Sequence, residues 1–210
     1  VQLANNDFTY ALGRATTESV IEWIDPAGGA WSDADNWNPA QVPGQTDETV
    51  FKLDATYDIT VSARTSGRSR IEDGSIAFRN ADLTLIGPLS IGGDAKLTLP
   101  EGTLDVGEIS IGTLPPTSSL ALPSRLYVSN QGTQITGTPA ISIGLAGPGE
   151  AWLSDGEIDS GPLVVGASYT GTAIIGGQHG KWFAGAVAVG QNATGTLTIE
   201  QGGFLRSGGE

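Results

Sequence analysis

Short apolar runs recur along this chain, each ending in glycine. ISIG, LVVG and VAVG close at Gly144, Gly166 and Gly190, and a second glycine follows each at Gly149, Gly171 and Gly195. After the second glycine comes an alternating segment such as TLTI, then a third short run closed by Gly161, Gly185 or Gly208. Strict alternation over four to six residues is the signature of a half-buried strand. It points Leu163, Val165, Ala173 and Ile175 inward, and one repeat later Val187, Val189, Leu197, Ile199 and Leu205. Their outward partners Thr196, Thr198 and Arg206 are polar, as a period of two requires.

The same three-part unit runs back through residues 89–107, LSIGGDAKLTLPEGTLDVG, and reopens at Ile109. A step of five residues from glycine to glycine closes the units at 102/107, 132/137, 156/161, 180/185 and 203/208. A repeat of roughly 20–24 residues with three strands and glycine corners predicts an all-β, right-handed parallel β-solenoid. Each repeat would be one turn, stacked ~4.8 Å above the last. An insertion is expected near 115–130, where PSRLYVSN interrupts the pattern.

Residues 21–85 lack the regular repeat. They hold Trp23, Trp31 and Trp37, followed by Pro39, Pro43 and Gly44, and read as an aromatic-rich cap with the first irregular turns. A solenoid needs such a cover because an open sheet edge invites pairing. Residues 1–20 read as an extended arm, and 86–210 as the repeats. The chain ends at GGE, where another unit would open, so either the protein continues or this end pairs with another molecule. A specific expectation follows: the arm, through Val1, Leu3, Phe8, Tyr10 and Leu12, adds a strand to a neighbour's last turn and builds head-to-tail filaments.

Composition agrees with a folded, turn-rich β protein. Hydrophobic residues are 39%, charged residues only 16%, and glycine 31 of 210, about twice the usual share. A net charge of -13 disfavours nucleic acid and anionic lipid as partners. Cysteine is absent, which excludes disulfides and thiolate metal sites. No apolar run approaches the ~20 residues of a membrane helix, so membrane insertion is not expected. The missing initial methionine marks a processed chain or a fragment.

The repeats resemble those of bacterial autotransporter-type passenger proteins, whose units read strand-Gly followed by G-T-L-T-I-x-x-G-G. VGQNATGTLTIEQGG matches that form closely, and VGASYTGTAIIGG and IGLAGPGEAWLSDG follow it. GGAWSDADNWNPAQVPGQTDETVF is similar to the opening that precedes such repeats, through Gly29, Trp31, Asn36, Trp37, Pro43, Gly44, Asp47 and Phe51. The resemblance spans residues 23–210. It implies a secreted or surface-exposed β-helix with structural, adhesive or matrix roles, in a bacterium.

Candidate chemistry is sparse. His179, the single histidine, stands near Lys181, and together they offer a proton-transfer pair or merely an exposed corner. Asp33, Asp35 and Asp47 offer oxygen ligands to calcium, or cap their own turns. Arg64, Arg68, Arg70 and Arg79 could receive an anionic partner, or pair with Glu72, Asp73 and Asp82. Trp152 and Phe183 fall at outward positions, where exposed rings stack on sugars or pack against another chain. Outward threonines at 170, 172, 194, 196 and 198 suggest an ice-binding array, broken at Glu150 and Trp152. The sequence therefore predicts a non-enzymatic structural or adhesive solenoid without a required cofactor, associating with itself or with cell-surface glycan. The competing expectation is a polysaccharide-binding or polysaccharide-cleaving protein on the same scaffold.

Overall fold

The computed structural model describes residues 19–115 and 122–208. Its strands stack into three sheets of nine, eight and seven strands, and each complete turn gives one strand to every sheet. The first sheet runs from Val20–Trp23 through Glu48–Phe51, Arg68–Ile71, Leu89–Ile91, Glu108–Ile111, Ala140–Ile143 and Leu163–Val165 to Val187–Val189. The second begins at Gly29–Ala30 and ends at Gly195–Ile199, and the third runs from Arg64–Ser66 to Phe204–Ser207. Neighbours one turn apart pair in parallel, so the fold is a right-handed parallel β-solenoid of about seven turns.

The register keeps the inward columns mainly apolar; Thr49 and Ser69, buried between Ile21 and Leu89, satisfy each other at 2.6 Å. Leu89 pairs with Ile109, Ile141 with Leu163, and Leu163 with Val187, so equivalent positions lie 20 to 24 residues apart in the regular turns. A slip of one residue would turn a whole strand's apolar set to water. Ile91, Ile111, Ile143 and Val165 stack in one fully buried column. Each such side chain contributes about 1.5–3 kcal/mol relative to exposure. The glycine after that column marks the corner: Gly144, Gly166 and Gly190 have φ of 78°, 77° and 74°. An L side chain resists that left-handed conformation, whereas glycine adopts it freely.

The expected insertion needs correction. Ser124–Ser129 is a regular strand of the second sheet, pairing with Lys96–Leu99 on one side and Gly149–Ser154 on the other. Leu126 and Val128 continue the buried columns of Leu97 and Leu99, which is why SRLYVS belongs to the stack. The additional residues lie between Gly112 and Ser124, and 116–121 of them fall outside the described set.

The first sheet is covered at its N-terminal end. Trp37–Asn38 runs antiparallel to Val20–Trp23 and covers the outer edge of the first sheet. At the corner between the third and first sheets, Gly44 and Asp47 offer carbonyls to the N–H groups of Gly67 and Arg68, at 3.2 and 3.3 Å. Trp31 and Trp37 meet at 4.9 Å between ring centroids and Trp23 and Trp37 at 5.0 Å, with Phe51 and Phe78 packed against Trp31. All five rings are buried. Residues from Glu48 onward already form turns of the same three sheets, so the closing module itself is residues 20–47.

The motif that opens the chain is legible as the chemistry of this closure. Asn36 donates from Nδ2 to the Ala30 carbonyl at 3.0 Å, and a Cβ on Gly29 would press on that amide at 2.7 Å. The Trp37 indole donates to the Trp31 carbonyl at 2.9 Å. Asp47 accepts the Gly44 N–H at 2.7 Å and so holds the loop that meets Gly67 and Arg68.

The last turn is different. Val189 and Ile199 stand in register with Val165 and Ile175, which are fully buried, yet they are 46% and 50% exposed. Their direction is inward as expected; no further turn among the described residues lies over them.

Tyr57 stacks on Trp23 at 6.2 Å and is 3% exposed, and its hydroxyl has no hydrogen-bond partner. Burial, and secondarily the Asp73 carboxylate, push its phenol well above the ordinary value of 10.0. The neutral phenol is favoured in the folded state, so its contribution to stability is complete below pH 10 and declines as pH rises beyond it. Tyr57→Phe is expected to flatten the alkaline fall in melting temperature between pH 9 and 11. An unchanged alkaline profile would assign that fall to other groups.

Candidate functional site

The outer face of the second sheet carries one column of interest. Thr98, Tyr127, Trp152, Ile174 and Thr198 occupy equivalent positions on five successive strands. Stacking at strand spacing brings the Tyr127 and Trp152 rings to 5.7 Å with only 17° between their planes. Lys96 places Nζ 4.5 Å from the centroid of the Tyr127 ring, a cation–π contact. Beside them Arg125 and Glu150 form an ion pair at 2.9 Å. Tyr127 thus stands in register between Thr98 and Trp152, with Lys96 reaching over its ring. A sugar stacks on a free ring face, so this ladder contributes more to holding strands together than to an open platform. Trp152→Ala should cost about 0.5–1.5 kcal/mol, the usual worth of an aromatic pair, read as a lower melting temperature.

Phe183 lies on the third sheet, not the second. It contacts Phe204 at 5.9 Å and stands in register between Asp159 and Arg206. The two outward aromatics singled out in the sequence therefore sit on different faces, and they do not form one binding strip.

The corner between the second and third sheets holds His179. Asp155, itself at φ 63°, accepts the His179 backbone N–H at 3.0 Å, and the imidazole Nδ1 lies 3.5 Å from the same oxygen. The imidazole is half exposed. Lys181 stands in register with Glu157 on the adjacent strand. Grooves of about 190 and 410 Å³ meet at Asp155 and His179. His179 and Lys181 are thus brought to one corner, joined by two carboxylates that the sequence reading missed. A general base must be within hydrogen-bond reach of its proton and be oriented by a partner. Here Asp155 is engaged first by a backbone N–H of the turn, so its main role is to hold the corner. Its signal in the sequence was the Asp155-Gly156 step before the third strand of that turn, which reads equally as a turn.

The four arginines do not form a patch. Arg68 and Arg70 sit on the first sheet and flank Glu48, each at 3.2 Å, while Arg70 also reaches Glu72 at 2.9 Å. Arg79 is on the second sheet and pairs with Asp58 at 3.0 Å. Arg64 is on the third, in register with inward-facing Leu83. Pairing within the chain is realised for Arg68, Arg70 and Arg79, with Glu48 and Asp58 as partners in addition to the expected Glu72.

Asp33 accepts the Asp35 N–H at 3.1 Å and caps the 3₁₀ turn Ala34–Asn36, while Asp47 caps its own loop. Among the described residues no three His, Asp or Glu side chains are placed to hold a metal ion. The calcium site expected from Asp33, Asp35 and Asp47 is therefore not assembled, because Asp33 and Asp47 each spend an oxygen on their own turn.

A further feature was not foreseen. Asp54, Asp73 and Asp94 stand two residues ahead of the in-register Thr56, Ser75 and Lys96, one per turn, along a groove of about 790 Å³ that Leu122 and Arg125 also line. Asp73 spends one oxygen on the Gly74 N–H at 2.8 Å. Val1, Leu3, Phe8, Tyr10 and Leu12 lie outside the described residues. No helix among the described residues is long and apolar enough to cross a membrane. No protein-family model, curated protein or solved structure matches this chain.

Proposed function

We propose that this chain is a non-enzymatic structural or adhesive solenoid of a bacterial surface or extracellular matrix, and that it associates with its own kind. One observation carries the reading: the side chains best equipped for chemistry are engaged in holding successive turns together. Asp155 holds the corner under His179, Glu48 is held by two arginines, and Trp152 stacks on Tyr127. Solenoid faces built this way offer long, flat, repeating surfaces rather than an enclosed reaction chamber. The resemblance of the repeats to autotransporter-type passengers supports the extracellular setting.

The test is a panel of acidic and neutral polysaccharides, assayed for cleavage and for binding with the intact chain. The expected result is no cleavage above background, and for His179→Ala with Lys181→Ala no change beyond a small loss of stability. Cleavage that disappears in that double variant would overturn the reading in favour of an enzyme. Glycan binding abolished by Trp152→Ala would instead establish a carbohydrate-binding face on the second sheet.

A further inference from the structure

The corner that joins the first sheet to the second changes character along the stack. In the early turns it is acidic, carrying Asp54, Asp73 and Asp94 in succession. In the later turns the same corner falls to residues 112–123, 144–148, 166–170 and 190–194, which include no charged residue. The chain as a whole has a net charge of -13. Apolar side chains stand on the uncharged stretch: Leu122, Leu145 and Tyr169 are 40%, 41% and 51% exposed.

These three side chains sit on consecutive corners. The Gly144 N–H donates to the Ile111 carbonyl at 2.9 Å and Gly147 to the Gly112 carbonyl at 2.8 Å, so the Leu145 corner rests on the one before it. The Tyr169 N–H reaches the Gly144 carbonyl at 2.7 Å, which stacks its corner on that of Leu145. Single exposed apolar residues are ordinary, but three on adjacent corners with no charge among them form a patch that marks an interaction surface. The strip continues onto the first sheet, where the outward positions of the same turns are Ser110, Ser142 and Val164. On the second-sheet side Arg125 and Glu150 cancel each other in their ion pair at 2.9 Å.

We propose that this ridge docks side by side on the same ridge of a second copy, across a two-fold axis perpendicular to the solenoid and beside Leu145. The inference rests on the self-associating reading above and names its surface. Two copies of an acidic protein repel over most of their surfaces, and along this strip they meet without like charges facing. The acidic half of the corner sets the direction. With Leu145 at the axis, the Leu122 corner meets the Tyr169 corner of the other copy, and the Asp94 corner meets the uncharged one at Gln191 and Asn192. A parallel arrangement would set Asp54, Asp73 and Asp94 each against its own counterpart. A two-fold contact closes on itself and stops at a dimer.

The experiment supplies one thiol per chain in the otherwise cysteine-free protein. Ala146→Cys puts it beside the proposed axis; Ile86→Cys puts it at a 62% exposed position on the corner between the third and first sheets. Oxidation with copper phenanthroline is expected to link two chains through Ala146→Cys and not through Ile86→Cys. Leu145→Glu with Tyr169→Glu alters exposed positions alone. It is expected to keep the circular dichroism of the parent, abolish the crosslink and hold the sedimentation mass at one chain, 21.5 kDa. Should that variant fail to fold, the contrast between the two thiols decides. Association that persists in the folded double variant, crosslinking through Ile86→Cys instead of Ala146→Cys, or a mass that climbs past two chains would overturn this surface and leave self-association standing. A parent chain that stays single at every concentration would overturn both.

Discussion

Trp37→Ala should lower stability by about 3–5 kcal/mol, the range for removing a large buried aromatic. Its indole packs edge-on against Trp23 and Trp31 and also donates to the Trp31 carbonyl, so one substitution removes packing and a hydrogen bond. In a protein of this length that corresponds to a drop of roughly 10 °C in melting temperature. Location matters as much as size. Each turn of a solenoid contacts only its neighbours, so the damage is expected to be confined to the first turns. Hydrogen exchange should accelerate in Val20–Trp23 and Glu48–Phe51 and stay slow in Ala140–Ile143. Losing the cover strand also frees the edge of Val20–Trp23, so the variant is expected to associate more readily than the parent chain. Uniform acceleration across all turns would contradict the assignment of a local cap.

Gly144→Ala and Gly190→Ala form the second large test because they share a column and a conformation. Both glycines have φ near 75°, and alanine in that region costs about 1–2 kcal/mol at either site. The surroundings separate them. A Cβ on Gly144 would lie inside the carbonyl oxygen of Tyr169 in the turn above, whereas on Gly190 the nearest atom is the Ala193 carbonyl oxygen at 3.6 Å. Gly144→Ala should therefore cost a further ~1–3 kcal/mol for forcing two stacked corners apart. Equal losses in thermal melts of the two variants would mean that corner spacing is set by something other than backbone contact between turns.

The solenoid was readable because its information is local and repeated. Glycine at Gly144, Gly166 and Gly190 with another five residues on, and alternation between them, state the corner and the strand in each unit. Where the spacing broke, so did the reading. SRLYVS has the alternation of a core strand, but the extra residues before Ser124 shift it out of phase, and only pairing with Lys96–Leu99 assigns it to the stack. The cap motif announced that residues near Trp31 and Trp37 belong together, while the antiparallel return that closes the edge depends on tertiary contact. Single residues fared worst. Whether Asp47 binds calcium or a backbone N–H, and whether Arg79 faces Asp82 or Asp58, depends on which turn lies above which. The alignment of Asp155 beneath His179 was hidden for the same reason: the two lie 24 residues apart, one turn of the stack.

Self-association is the part of the proposed function that a solution measurement reads most directly. Sedimentation equilibrium of the intact chain over a wide concentration range tests this most directly. A single chain has a mass of 21.5 kDa. The expected result is a mass above that of a single chain, rising with concentration. A mass fixed at one chain at every concentration would contradict the account.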